Sequence, residues 1–139
     1  MNVTTKSFSI STQGHTDIID ITNQVSKTLK ESGMSEGNAL VFVPGATAGV
    51  TTIEYEPGLL SDYPDFFEKI IPSGANYKHN DTWHDGNGHS HVRASLQGAS
   101  FQVPFASGKL LLGTWQQIIL VDFDNRPRNR KVIVQLMGK

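Results

Sequence analysis

The chain has 139 residues, no cysteine and a formal net charge of −1, so we expect one domain, spanning residues 1–139, with its own core. The lack of cysteine excludes disulfides and thiolate metal sites, and the charge balance opposes general nucleic-acid binding. No stretch approaches the roughly 18 apolar residues of a membrane span, and the N-terminus does not resemble a secretory signal. We therefore expect a cytoplasmic protein without membrane contact.

The first part of the chain predicts a β-hairpin followed by a helix. Residues 7–11 alternate polar and apolar side chains, which indicates a half-buried strand. We expect residues 18–21 to pair with it across a turn at Gly14. Thr22 is typical of a helix N-cap, and Gly33 is typical of the residue that ends a helix.

The middle of the chain predicts two strands and a helix. Residues 38–43 form a short apolar run that stops at a Pro-Gly pair, and residues 49–55 are rich in β-branched side chains. Residues 62–70 predict a short amphipathic helix that Pro72 ends. The side chains expected to face the core from this helix are Phe66, Phe67 and Ile70.

Gly88–Gln97 is expected to form a helix, because Asn87 and Gly98 bracket it as an N-cap and a terminating glycine would. A strand is the alternative, and it would place His89, His91 and Arg93 on one face. The last third predicts strands of an antiparallel meander, at residues 101–105, 109–112, 115–123 and 131–137. The resulting order indicates an α+β domain with a sheet-rich, mainly antiparallel, sandwich-like core and two or three short helices.

Four of the five histidines fall between residues 76 and 93, where two glycines allow sharp turns. Three imidazoles can hold a divalent ion such as zinc and leave one position open for water or substrate. Asp81 or Asp85 could supply an oxygen ligand or a hydrogen-bond partner. The candidate imidazoles are His79, His84, His89 and His91. The alternative is a solvated polar loop whose histidines only form hydrogen bonds.

Several charged residues outside this cluster are also candidates. Arg93 follows His89 by one helical turn, so both could hold one anionic group near the helix N-terminus; an exposed surface arginine is the alternative. Glu54 lies in an apolar strand, where a carboxylate needs water, an ionic partner or a metal. A basic segment near the C-terminus could clamp phosphate or a neighbouring subunit's carboxylates, or could be a solubilising hairpin tip. Its arginines are Arg126, Arg128 and Arg130.

An ordered set of motifs extends over nearly the whole chain. It comprises Thr47-Ala48-Gly49, Ile53-Glu54, Asn76-Tyr77-x-His79, Asp85-Gly86-Asn87-x-His89-x-His91, Leu96-x-Gly98, Gly113-Thr114-Trp115-Gln116 and Asp124-x-Arg126-x-Arg128-x-Arg130. Taken together, the motifs resemble the YjbQ-like family, small proteins often labelled secondary thiamine-phosphate synthases.

This resemblance implies an α+β fold, assembly as a homotrimer, and a reaction that joins hydroxymethylpyrimidine pyrophosphate to thiazole phosphate. It implies a metal or active site at His79, His89 and His91, with Asn87 beside them. It brings Glu54 and Arg93 into the neighbourhood of that site. The chain departs from the family at Gly45, where many relatives have a histidine, and His84 is the imidazole that could compensate.

We therefore expect a metal-assisted enzyme acting on a small phosphorylated metabolite. The divalent ion, zinc or magnesium, is expected on the three imidazoles, with Glu54 or Asp81 as base or extra ligand and Arg93 neutralising phosphate charge. Substrate binding is expected at Thr47, Asn87 and the three C-terminal arginines. The alternative is a non-catalytic trimer that binds a metabolite or a metal.

Overall fold

A computed structural model describes all residues from Met1 to Lys139, and it shows an α+β domain of eight strands and four helices. The strands are β1 (Asn2–Thr12), β2 (Asp17–Asp20), β3 (Gly37–Phe42), β4 (Ala48–Ile53), β5 (Ser100–Ala106), β6 (Lys109–Leu110), β7 (Gln117–Asp122) and β8 (Arg128–Gly138). The helices are α1 (Thr22–Ser32), α2 (Pro57–Ile70), α3 (Lys78–Trp83) and α4 (Gly88–Gln97). No helix is long and apolar enough to cross a membrane.

The strands form two antiparallel sheets that share one core. The larger sheet has the order β1-β8-β3-β5-β6, and the smaller sheet has the order β2-β7-β4. Alternate residues of β7 face opposite ways: Ile118 and Leu120 join the main core between the sheets, whereas Ile119 and Val121 pack under α2 and α4. Burial on both faces explains why β7 is a continuous apolar run. The predicted α+β class and antiparallel core are confirmed.

Two predicted strand pairings are wrong. Residues 7–11 and 18–21 do not form a hairpin, because β1 pairs with β8 while β2 pairs with β7 in the other sheet. The last four strands are not a meander either, since β5 and β8 belong to the larger sheet and β7 to the smaller one. Local turn residues give no information about such long-range pairing, which depends on which apolar faces can be buried together.

The helices follow the predicted pattern with corrections at their ends. Gly33 adopts a left-handed conformation after α1 with φ of 72°, as expected, but Thr22 is the first helical residue and not a cap. Helix α2 begins earlier than predicted, because the Glu56 side chain accepts hydrogen bonds from two backbone amides in its first turn. Of the three apolar side chains expected to face inward from α2, only Phe67 is buried; Phe66 and Ile70 are exposed.

Helix α4 is confirmed with the predicted bounds, and it packs against β4. Gly49 permits this close approach, because a Cβ there would lie 2.7 Å from the carbonyl oxygen of Gly98. A short helix that was not predicted, α3, precedes α4 and places a second segment of the histidine-rich region beside it. Helix α4 therefore lies between strand β4 of the smaller sheet and helix α3.

Candidate functional site

Two of the predicted imidazoles meet at the start of α4. The ring centroids of His79, on α3, and His91, on α4, are 4.2 Å apart. The chain reverses between the two helices through left-handed residues at His84 and Gly86, with φ of 58° and 68°. Asn87 holds one member of the pair, because its Oδ1 lies 3.0 Å from Nε2 of His79.

Asn87 connects this pair to Asp124, a carboxylate with no solvent exposure. Asp124 accepts hydrogen bonds from Nδ2 of Asn87 at 3.2 Å, from the Thr47 hydroxyl at 3.0 Å and from Nε of Arg128 at 2.8 Å. Burial would raise the pKa of Asp124, but the backbone amide of Asn125 and these three side chains outweigh it and lower the pKa to about 2. The carboxylate is therefore ionised and holds Asn87 in one orientation.

A second buried carboxylate, Asp122, completes this polar network. It accepts two hydrogen bonds from Arg130, of 2.7 and 2.9 Å, and one from the Thr12 hydroxyl at 2.5 Å. Arg130 also donates to the Thr47 hydroxyl at 2.7 Å. Its Nη1 atom lies 3.0 Å from the position that a Cβ on Gly45 would occupy. Each buried aspartate thus has a cationic partner, which offsets the cost of burying charge.

An open cavity of about 290 Å³ lies beside His91. Small residues of the loop before β4 and of the end of α4 line it, so a flat or compact group could approach the imidazole closely. These lining residues are Gly45, Ala46, Ala48, Ala94, Ser95, Gly98 and Ala99. Since Arg130 reaches towards Gly45, its guanidinium lies near the same loop.

His91 is expected to be uncharged at neutral pH. Burial lowers its pKa most, and the neighbouring His79 ring lowers the pKa further, while Asp124 and Asp85 act in the opposite direction. Nε2 of His79 lies 3.5 Å from the half-exposed carboxylate of Asp85. A neutral imidazole has both a donor and an acceptor nitrogen, so His91 can donate one hydrogen bond and accept another.

His89 lies on the other side of α4. Two residues along a helix correspond to a rotation of about 200°, so His89 and His91 cannot both point at one spot. His89 is buried beside a different cavity, which Arg93 also lines. The predicted trio of imidazoles is therefore not brought together, and no group of three His, Asp or Glu side chains in the chain is arranged to hold a metal ion.

The remaining predicted residues are placed apart from the His79–His91 pair or at its edge. Asp81 and His84 are exposed on and after α3, and Arg126 is exposed in the turn before β8. Glu54 is exposed and lines a separate cavity with Trp115. Thr47, Asn87, Arg128 and Arg130 all belong to the network around the two buried aspartates.

The buried aspartates were not predicted as site residues. Their signal in the sequence is the spacing Asp122-Phe123-Asp124, directly after the apolar run of β7 and before alternating arginines. Carboxylates at the end of a fully buried strand need cationic partners, and arginines at alternate positions of β8 reach them from one face of that strand. This pattern could have identified the network before the structure was known.

A model of the family described as UPF0047 protein YjbQ-like matches residues 6–139. A UPF0047 protein of Archaeoglobus fulgidus is 42% identical over 128 residues, which cover 92% of this chain and 97% of that protein. A UPF0047 protein of Bacillus subtilis, YugU, is 36% identical over 135 residues, covering 96% and 98% of the two chains.

A solved structure from Sulfolobus solfataricus, described as a YbjQ-like protein of unknown function, superposes with a TM-score of 0.94 at 33% identity. The match covers 99% of both chains. A YjbQ/UPF0047 family protein from Clostridium acetobutylicum gives a TM-score of 0.87 at 43% identity, covering 95% of this chain and 99% of that one. The resemblance drawn from the sequence motifs is thereby confirmed.

Proposed function

This chain belongs to the YjbQ-like UPF0047 family, and we propose that it is an enzyme acting on a small phosphorylated substrate beside the His79–His91 pair. The observation that supports this proposal most directly is the anchoring of the pair. Asn87 bonds one imidazole and is itself held by the ionised, fully buried Asp124. A purely structural polar contact does not require two imidazoles in contact, one of which lines an open cavity.

We propose a reaction like that of the secondary thiamine-phosphate synthases. In it the bond from the pyrimidine methylene carbon to a pyrophosphate oxygen breaks as the thiazole nitrogen bonds to that carbon. Negative charge develops on the departing pyrophosphate, so donors beside the cavity accelerate the step. We propose Arg130 for this role, because its Nη1 atom makes no hydrogen bond while Nε and Nη2 are held by Asp122 and Thr47. His91 would donate a further hydrogen bond.

The divalent ion, zinc or magnesium, fits the described residues only in part. His79 and His91, with Asp85, are the side chains that would hold it, and it would supply positive charge to the leaving group. Three ligands are not assembled, however, and Nε2 of His79 already contacts Asn87. We therefore propose that the side chains themselves stabilise the departing pyrophosphate. Whether the protein also binds a divalent ion is tested by measuring its metal content.

We further propose a cytoplasmic homotrimer in which the exposed Arg126 reaches the substrate or the carboxylates of a neighbouring subunit. The support is the family resemblance and the exposure of this arginine next to Arg128, which is held inward by Asp124. Light scattering coupled to gel filtration tests the assembly: a mass three times that of the 15.2 kDa chain supports it, and a monomer contradicts it.

The catalytic proposal is tested with His91→Ala. Purified variant and native protein are given hydroxymethylpyrimidine pyrophosphate and thiazole phosphate, and pyrophosphate release and metal content are measured. We expect release to fall by about 100-fold or more, the usual cost of losing one hydrogen-bond donor to a developing negative charge. Lys27→Gln, an exposed change on α1, serves as the control and should leave release unchanged. Unchanged release and metal content in His91→Ala would reject the proposal.

A non-catalytic binding protein is the second candidate. The observation that favours it is Gly45, which leaves the cavity wall beside His91 without the imidazole present in many relatives. Calorimetric titration with each phosphorylated substrate, followed by product analysis, separates the candidates. Binding of both compounds without any product would support a binding protein over an enzyme.

A further inference from the structure

A second polar cavity lies on the side of α4 opposite the His79–His91 pair. Its volume is about 240 Å³, and no hydrophobic residue lines it. The functional groups come from four separate parts of the chain: the loop before β2, helix α2, the loop after α2, and helix α4. They are His15, Thr16, Asp65, Glu68, Ser73, His89 and Arg93, and the Asp65 carboxylate makes no bond to Arg93.

Arg93 is the buried cation of this cavity, with 4% of its surface exposed. It donates from Nε and Nη2 to the carbonyl of Ile71, from Nη1 to the Thr16 hydroxyl, and from Nη2 to Glu68. A guanidinium has five N–H donors, so these four bonds leave one N–H of Nη1 without a partner. The bonds also fix the plane of the guanidinium, as a binding site for an anion requires.

His89 adds a second unsatisfied group. It is 6% exposed, and its Nδ1 atom is buried without any hydrogen-bond partner. Burial lowers the pKa of His89 most, and the nearby Arg93 charge lowers it further, so the ring is neutral at pH 7. Buried polar atoms are almost always paired in native proteins, and an orphaned one beside a polar cavity indicates a missing partner.

The backbone at the cavity is also held in an unusual conformation. His15 and Thr16 have φ of 57° and 61°, in the left-handed region that residues other than glycine rarely adopt. The amide of His15 is tied to the carbonyl of Asp124 at 2.6 Å, and Thr16 is tied to Arg93 at 3.2 Å. Strain of this kind persists where it positions groups at a functional site.

Glu68 is the only carboxylate bonded to Arg93, at 2.6 Å, yet its side chain is 53% exposed. Ser73 holds the other carboxylate oxygen of Glu68 through its amide and its hydroxyl, both at 3.0 Å. The Glu68 carboxylate can therefore move away from Arg93 into solvent and remain hydrated. A ligand with a similar group could replace this carboxylate on the guanidinium.

We propose that this cavity is a second binding site, for a small oxyanion such as a phosphate or carboxylate group, and that Glu68 is the internal anion which the ligand displaces from Arg93. His89 would bond the ligand through its unpaired nitrogen. The site shares no side chain with the His79–His91 pair. Its anion binding can therefore be tested independently of the proposed catalytic function.

The test uses inorganic phosphate and acetate as probes of the full-length protein. Binding is followed by calorimetry and by the ring nitrogen resonances of histidine in NMR spectra. We expect phosphate to shift the resonances of His89 in the native protein and also in His91→Gln. Glu68→Gln removes the internal competitor and should bind phosphate about tenfold more tightly, which corresponds to about 1.4 kcal/mol. His89→Gln should bind several-fold more weakly.

Asp62→Asn is the matched control, because Asp62 is exposed on the same helix as Glu68 but does not line the cavity. It removes the same charge and should leave the affinity unchanged. A response to acetate as well as phosphate assigns the site to oxyanions generally, and a response to phosphate alone assigns it to phosphate groups. Equal affinities in Glu68→Gln and Asp62→Asn, or a phosphate response that spares His89, would overturn the proposal.

Discussion

The two sides of helix α4 carry similar side chains, but the buried charges on each side have different partners. On the side of His91, each buried aspartate is paired with an arginine and with hydroxyl or amide donors. On the side of His89, the buried charge is a cation, and its only carboxylate partner is half-exposed. One side is a closed network with an imidazole pair at its edge, and on the other His89, with an unpaired nitrogen, and Arg93, with an unpaired N–H, line a cavity.

This difference shows how two histidines of one short motif can belong to two separate sites. Because a helix turns by about 100° per residue, His89 and His91 face opposite ways and respond to different neighbours. The first environment brings the His91 ring into tilted contact with His79, and the second leaves an imidazole nitrogen of His89 unpaired near Arg93. Each of the following changes tests whether the two sides are as independent as this geometry indicates.

The largest effect is expected from Asp124→Ala, which removes the centre of the closed network. Arg128 would lose its carboxylate partner, and Thr47 and Asn87 would lose their acceptor. Breaking a buried ion pair by removing one partner costs about 3–5 kcal/mol. Urea unfolding should show a loss of this size in the free energy of unfolding.

The control for this change is Asp62→Ala, in which an exposed aspartate without a hydrogen-bonding role is removed. Its effect should stay within about 0.5 kcal/mol, as for most surface substitutions. If Asp124→Ala lowered the free energy of unfolding as little as Asp62→Ala does, the network would contribute nothing to stability, and the contrast between the two sides of α4 would be wrong.

A smaller loss of stability is expected from Arg93→Met, on the other side of α4. The variant leaves the Ile71 carbonyl without its donors, but Glu68 is exposed enough to be solvated, so no buried charge is left unpaired. Leaving a buried polar group unsatisfied costs about 1–3 kcal/mol. Urea unfolding measures the loss, and a cost above that of Asp124→Ala would reverse the contrast between the two sides.

Much of the fold could be predicted from the sequence, because its signals are local. The apolar run of β7, the terminating Gly33 and the bounds of α4 follow from periodicity and from residues with special backbone preferences. The pairing of β1 with β8 could not be predicted, since it joins residues more than a hundred positions apart. A turn at Gly14 was compatible with a hairpin, yet the chain there crosses from one sheet to the other.

The residues of the candidate site could be predicted from the sequence, but which of them lie together could not. His79, Asn87 and Arg130 were named from the motifs, and they do belong to one region. The separation of His89 from His91 follows from the helical conformation of the segment, for which the sequence left a strand as the alternative. Helix α3, without a buried residue or a side-chain cap, gave no periodic signal, although it carries His79 to the pair.

The smallest effect concerns pH, and it separates the two imidazoles. The pKa of His89 and that of His91 both lie below the ordinary value of 6.5 in the folded protein, in each case chiefly because of burial. Between the folded and unfolded pKa values the unfolded chain binds more protons. The stability from these groups is therefore complete above about pH 6.5 and is lost as the pH falls below it.

Urea unfolding at pH 7, 6 and 5 should show this decline in the native protein. His89→Gln should flatten the decline more than His91→Gln does, because His89 is the more deeply buried and has the permanent charge of Arg93 beside it. Glutamine keeps polar donor and acceptor atoms but does not titrate, so each variant isolates one ionisation. Equal slopes in the two variants would mean that the deeper burial and the Arg93 charge do not lower the pKa of His89 more than that of His91, and the difference inferred between the two sides of α4 would fail.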